Sequence, residues 1–174
     1  MLNRWAPWYE VEGPNAVGRN YGPTTTYTIA EDFLRGVDIE DWGCGFGYFR
    51  TVHTGGYVGV DGTPGYCDVV ADLTEYRSTT PGILLRGVLD HNAEWRKILA
   101  NALASFTEVL VVILFTPPGE DNAIGYVAEL DVHDYALPHE EITVMVHQAG
   151  CTYDLSFYST RSGYDGETVW VVRR

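Results

Sequence analysis

The stretch Asp41-Trp42-Gly43-Cys44-Gly45-Phe46-Gly47 follows an apolar run and leads into Tyr48 and Phe49, so it reads as a strand ending in a loop of three alternate glycines. Glycine is needed where backbone turns with positive φ, or where a ligand passes close to the main chain with no Cβ in the way. Such a loop after a first strand constrains the chain to an open sheet whose strands end at a ligand edge. Taken alone, the stretch is also compatible with a plain turn between strand and helix.

Spacing separates two nucleotide-binding patterns. A dinucleotide fingerprint is G-x-G-x-x-G, and counting from Gly43 puts Tyr48 where the third glycine belongs. An acid followed by G-x-G-x-G resembles instead the first motif of class I S-adenosyl-L-methionine (AdoMet)-dependent methyltransferases, carried here by Asp41, Gly43, Cys44, Gly45 and Gly47. Tyr57-Val58-Gly59-Val60 is a second short apolar strand, and it ends in Asp61-Gly62. An acid about 20 residues past the first loop is what ribose recognition requires, because the second strand tip lies beside that loop. An Asp before a Gly is otherwise a turn pair. Next to the glycine loop, the ligand role is favoured.

Two further strand-like runs end in polar or small residues. Asp68-Val69-Val70-Ala71 leads to Asp72-Leu73, and Gly82-Ile83-Leu84-Leu85 leads to Arg86-Gly87. Open α/β sheets bind ligands at the carboxyl ends of their strands. A methyltransferase-like sheet implies that Asp72 and Leu73 flank the adenine, with Arg86 and Gly87 at the methionine end.

The remaining periodicity fills out the fold. Thr28-Ile29-Ala30-Glu31 reads as a capping box opening a short helix with Ile29, Phe33 and Leu34 inward, closed by Gly36. Asn92 is placed as the N-cap of a second helix, with Trp95, Ile98, Leu99, Ala102, Leu103 and Phe106 on one face. Residues 108–115 form a near-continuous apolar strand, buried on both faces and stopped by Thr116-Pro117-Pro118-Gly119. Pro138 opens a third helix with Ile142, Met145, Val146 and Ala149 inward, and Gly150 closes it. Residues 153–158 and 168–172 read as an antiparallel hairpin. The expected fold is α/β: a Rossmann-like three-layer sandwich, a mostly parallel sheet of five strands alternating with helices, then a C-terminal antiparallel hairpin.

That domain is expected over residues 28–174, preceded by an aromatic arm or lid at 1–27. In the arm Trp5, Trp8, Tyr9, Tyr21 and Tyr27 accompany Gly13, Pro14, Gly18, Gly22 and Pro23, which forbid regular structure. Either its aromatics cover the sheet edge, or it closes over the ligand with Tyr21 and the hydroxyls of Thr24, Thr25 and Thr26 near the ligand's carboxylate end.

Composition limits the partners. The chain has 174 residues and 45% hydrophobic content, enough for one core and one domain. Its 24 acids against 11 Lys and Arg give a net charge of -13, whereas phosphate backbones bind through basic surface, so naked nucleic acid is excluded as a partner. Arg173-Arg174 is the lone adjacent pair of arginines and reads as a solvated tail. No run approaches the ~20 apolar residues that span a bilayer, and the N-terminus lacks a signal-peptide core, which predicts a cytoplasmic protein. Cys44, Cys67 and Cys151 are widely spaced, which argues for free thiols and against a disulfide framework or a structural zinc.

Nearly the whole chain resembles a group of small methyltransferase-domain proteins. Their recurring features are Glu-Asp-Trp-Gly-Cys-Gly, Val-Gly-Val-Asp-Gly, Asp-Leu before a Tyr, Leu-Asp/Glu-His-Asn and Phe-Thr-Pro. Here they stand at residues 40–45, 58–62, 72–76, 89–92 and 115–117. The resemblance implies AdoMet as cofactor, and methyl transfer. One departure is Gly87, where that group commonly has His after the fourth-strand Arg. His91 is then the candidate base for a hydroxyl acceptor, or else a residue that only buttresses a helix entrance. Neither an Asp/Asn-Pro-Pro-Tyr sequence nor a Pro-Cys nucleophile is present, so amino-methylating and cytosine-C5 chemistry on DNA lose their signatures. The expected function is AdoMet-dependent methyl transfer to a small-molecule or carbohydrate-like acceptor, without metal, by a monomer or homodimer. The alternatives are a non-catalytic module that binds AdoMet or S-adenosylhomocysteine, and a nicotinamide-dependent oxidoreductase, which Tyr48 disfavours.

Overall fold

Strand β5 (Phe106–Leu114) shows how the chain is layered. Successive side chains of a strand point to opposite faces, and β5 has no polar face beyond its first turn. Leu110, Val112 and Leu114 enter one core, while Val109, Val111 and Ile113 enter another. A strand of this kind is stable only between two covered faces. Both covers are present. On one side α2 (Trp95–Ser105) contributes Ile98, Leu99, Ala102 and Leu103, and α3 (His139–Gln148) contributes Ile142 and Val146. On the other, α1 (Thr26–Leu34) contributes Tyr27, Ala30 and Leu34. Each fully buried aliphatic side chain stabilises the fold by about 1.5–3 kcal/mol.

The computed structural model describes residues 26–127, 132–159, 164 and 166–174. Its other strands are β1 (Ile39–Trp42), β2 (Tyr57–Asp61), β3 (Val69–Val70), β4 (Thr80–Arg86), β6 (Asn122–Val127), β7 (Val132–Ala136), β8 (Thr152–Tyr158) and β9 (Glu167–Arg173). Seven form one sheet in the order β3-β2-β1-β4-β5-β9-β8. The first five are parallel, and β9 runs antiparallel to both β5 and β8. The expected three-layer sandwich with a terminal hairpin is therefore present. All three cysteines are free. Among the described residues no helix is long and apolar enough to cross a membrane.

Several local expectations are corrected. The helices expected between the early strands are reduced to turns: a 3-10 turn at Tyr48–Thr51 follows β1, and none of the described residues between β2 and β4 is helical. Glycines at 43, 45, 47, 55 and 56 leave the first connection too poor a helix former. Helix α1 starts at Thr26, so Thr28 and Glu31 lie inside it rather than forming a cap. The Glu31 carboxylate instead meets His53 Nδ1 at 2.7 Å and accepts from Thr54 Oγ1 at 2.6 Å. Asn92 is not the cap of α2. Its side chain donates back to the Val88 carbonyl, and α2 begins at Trp95 after Glu94. Phe106 lies in the first core as expected, but as the first residue of β5. Finally, β6 and β7 make a separate antiparallel pair in a segment for which the sequence predicted no element. Of the arm expected at 1–27, residues 1–25, with Tyr21 and Thr25, lie outside the described residues.

Candidate active site

The parallel strands end together. Register pairs Trp42 with Val60 and Leu85, Asp61 with Val70, and Arg86 with Ile113, so the residues that follow share one sheet edge. Gly43, Gly45 and Gly47 all have left-handed φ, 76°, 55° and 67°. Only glycine adopts these values freely. At Gly43 there is a second reason: a Cβ there would lie 2.4 Å from Val88 Cγ2. The loop is pinned to the second strand. Gly43 N–H donates to the Val60 carbonyl at 2.7 Å, and Gly45 N–H donates to Asp61 Oδ2 at 2.9 Å.

Asp61 stands at the β2 tip beside the loop, as the sequence required, but both its oxygens also serve the backbone. Oδ1 accepts from Thr63 N–H at 2.8 Å. Burial pushes its carboxyl above the usual range, while the Gly45 and Thr63 amides pull it back. Gly62 follows it directly. Asp41 is more deeply committed to structure. It is 5% exposed and accepts from the Tyr57 hydroxyl at 2.7 Å. Burial pushes it up to about 7; the Tyr57 bond opposes the rise and the Asp61 charge adds to it. Cys44 sits where Gly59 leaves room for its sulfur, and burial raises its thiol far above the reactive range.

The other tip residues divide. Asp72 Oδ1 accepts from Thr74 Oγ1 at 2.7 Å and Thr74 N–H at 2.9 Å, which holds its carboxyl below the usual range. Leu73 is buried in the first core. Arg86 is directed toward α1 and β9: Nη2 is 3.5 Å from Glu167, and the guanidinium lies 5.2 Å from the Tyr27 ring centre. Gly87 turns the chain with φ 60° and donates to the Ile113 carbonyl at 3.0 Å.

A second polar group gathers beyond β4 and β5. The 3-10 turn Leu89–His91 presents Asp90 and His91. Asp90 is fully buried, with Oδ2 accepting from Phe115 N–H at 2.9 Å and Oδ1 making no hydrogen bond. Burial pushes it up to about 6, against the His91 charge and the Phe115 amide. Thr116 Oγ1 is likewise buried without a partner. His91 Nδ1 lies 3.1 Å from Asp134 Oδ1 on β7. Asp134 Oδ2 accepts from the Tyr164 hydroxyl at 2.9 Å. Burial would raise Asp134, but His91 and Tyr164 outweigh it and hold the carboxyl below the usual range. Asp134 and Tyr164 were not anticipated from sequence. The alternation Val132-His133-Asp134-Tyr135-Ala136 was the available signal for a strand carrying a carboxylate. Among the described residues no group of three or more His, Cys, Asp or Glu is placed to hold a metal.

No protein-family model matches the chain, and no curated protein does. Solved structures match over nearly its full length. One is the 1,6-didemethyltoxoflavin-N1-methyltransferase of Burkholderia thailandensis, with 1,6-didemethyltoxoflavin and S-adenosylhomocysteine bound: 16% identity, 97% of this chain and 85% of that one, TM-score 0.72. The fold is that of the class I methyltransferases. The magnesium protoporphyrin IX methyltransferase of Synechocystis PCC 6803, with S-adenosylhomocysteine bound, matches at 16% identity over 98% of this methyltransferase-fold chain and 93% of its own, TM-score 0.66. The cyclase SpnF matches at 13% identity over 90% and 83%, TM-score 0.63, so methyltransferase-fold chains are not all methyltransferases by name.

Proposed function

We propose that this chain is an AdoMet-dependent methyltransferase acting on a hydroxyl of a small-molecule or carbohydrate-like acceptor. The observation that carries the proposal is a shared edge. The glycine loop 43–47, clamped by Asp61, stands on the same sheet edge as the polar group of Asp90, His91, Thr116 and Asp134. The donor set suits the cofactor: left-handed glycines leave the backbone bare, and Asp61 retains lone pairs beyond its two amide bonds. In this proposal Gly43, Cys44, Gly45 and Gly47 cradle the methionine portion, Asp41 supports the loop, and Asp61 with Gly62 reads the ribose. Asp72 and Leu73 bound the adenine, while Arg86 and Gly87 shape the methionine end and Tyr21 and Thr25 belong to the covering arm.

AdoMet, when bound, supplies a methyl group on a sulfonium that needs only an aligned nucleophile. His91 accepts the acceptor's hydroxyl proton. The orphaned Asp90 Oδ1 and Thr116 Oγ1 are free to accept or donate a hydrogen bond to a polar acceptor. The net charge of -13 supports a neutral or cationic small acceptor over a polyanion. A screen of phenols, sugars and amino alcohols with AdoMet, read by mass spectrometry for methylated product and S-adenosylhomocysteine, tests this. Product with a hydroxyl acceptor is expected. AdoMet binding without transfer to any acceptor favours the second reading, a non-catalytic module, which Gly87 and the cyclase neighbour support.

A further inference from the structure

We propose that Asp134 is a positioning residue, delivered by the β6–β7 hairpin, that fixes His91 in the tautomer able to act as base, and that Tyr164 locks Asp134 in place. The catalytic use of His91 rests on the methyltransferase reading; the tautomer does not.

Three chain segments far apart in sequence converge here. His91 comes from the turn after β4, Asp134 from β7, and Tyr164 from the connection between β8 and β9. The Asp134 carboxylate is divided between them, Oδ1 at 3.1 Å from His91 Nδ1 and Oδ2 at 2.9 Å from the Tyr164 hydroxyl. An ionised carboxylate only accepts hydrogen bonds, so the ring nitrogen facing it is the protonated one. Nε2 is then the basic nitrogen, the arrangement by which a buried carboxylate orients a histidine base. Phe115 fixes the ring plane, with its centroid 4.9 Å from that of His91 and 5.9 Å from that of the stacked Tyr164.

The hairpin is shaped for this contact. Gly125 pairs with Asp134 across β6 and β7 beside a register shift. A Cβ on Gly125 would lie 2.7 Å from the Tyr164 hydroxyl and 2.8 Å from Asp134 Oδ2. Glycine at 125 is therefore what admits the Tyr164 hydroxyl to Asp134. Other charged groups facing this cluster are Asp90 and, acting on Asp134 and Asp90 respectively, His133 and Arg86.

The test uses the full chain labelled with ¹⁵N-histidine. Two-bond ¹H–¹⁵N correlation reads the His91 tautomer in the wild type, Asp134→Asn and Tyr164→Phe, and the same samples are titrated calorimetrically with S-adenosylhomocysteine. The wild type is expected to carry the proton on Nδ1, Asp134→Asn to revert to the Nε2-protonated form, and Tyr164→Phe, which keeps the carboxylate, to give a mixture. Nucleotide affinity is expected to be unchanged across the three. An Nε2-protonated wild type, or the same tautomer in wild type and Asp134→Asn, overturns the proposal. Should Asp134→Asn fail to fold, a Tyr164→Phe variant with the wild-type tautomer population overturns it instead. Absence of nucleotide binding in every sample would sink the methyltransferase reading while leaving the tautomer result intact. With an acceptor from the screen, Asp134→Asn should lower kcat by about tenfold or more. Wild-type turnover by Asp134→Asn contradicts it.

Discussion

Asp41 carries a carboxyl that burial raises from 3.8 to about 7, although Tyr57 donates to it. Between those values the folded protein holds a proton that the unfolded chain has released, so stability falls as pH rises through that window. Asp41→Asn still accepts from Tyr57 and lacks this loss. Its stability relative to wild type should rise by about 1 kcal/mol or more from about pH 4 to about pH 8 in urea unfolding; parallel profiles would contradict the buried assignment. Gly43→Ala places a methyl 2.4 Å from Val88 Cγ2 at φ 76° and should cost about 1–3 kcal/mol. Val88→Ala in the same chain should recover part of that in a thermal melt, and full additivity would show the cost to be φ alone. Asp61 was legible as an acid at the second strand tip. Its amide bonds to Gly45 and Thr63 were not, because pairing between a side chain and a distant loop leaves no trace in local pattern.

Elements were read well where burial sets the pattern. Strands β4, β5 and β9 are largely apolar on both faces because they lie between two covers, and α2 and α3 repeat at helical spacing because each buries one face against the sheet. Legibility failed where partners lie elsewhere. Thr28 and Glu31 match a cap, yet Glu31 is recruited by His53 and Thr54. The β6–β7 pair exposes Ile124 and Tyr126, so its pattern does not mark a core strand. It brings Asp134, the residue that most changes the view of His91. Glu31→Ala leaves His53 and Thr54 without their buried acceptor and should cost about 1–3 kcal/mol by chemical denaturation. Arg35→Ala removes an exposed ion pair with Asp32 on the same helix and should cost at most about 0.5 kcal/mol. Equal losses would mean that Glu31 does not anchor α1.

At the scale of the molecule, five parallel strands deliver their carboxyl ends to one edge, and the antiparallel β9 and β8 extend the sheet beyond β5. The mostly parallel sheet and its terminal hairpin could be anticipated from the run of strand and helix signals. The acceptor could not, since the segments around the second polar group carry no motif that names a molecule. The edge joins a glycine loop to a set of orphaned and paired polar side chains, which is why the proposal is transfer and not storage. The measurement that tests this most directly is calorimetric titration of wild type and Asp61→Ala with AdoMet, S-adenosylhomocysteine and NAD. Wild type should bind the first two at about micromolar affinity and not NAD, and Asp61→Ala should bind at least about tenfold more weakly, as loss of charge-assisted hydrogen bonds worth about 1.5–3 kcal/mol each requires. No binding of AdoMet or its product, or undiminished binding by Asp61→Ala, would contradict the account.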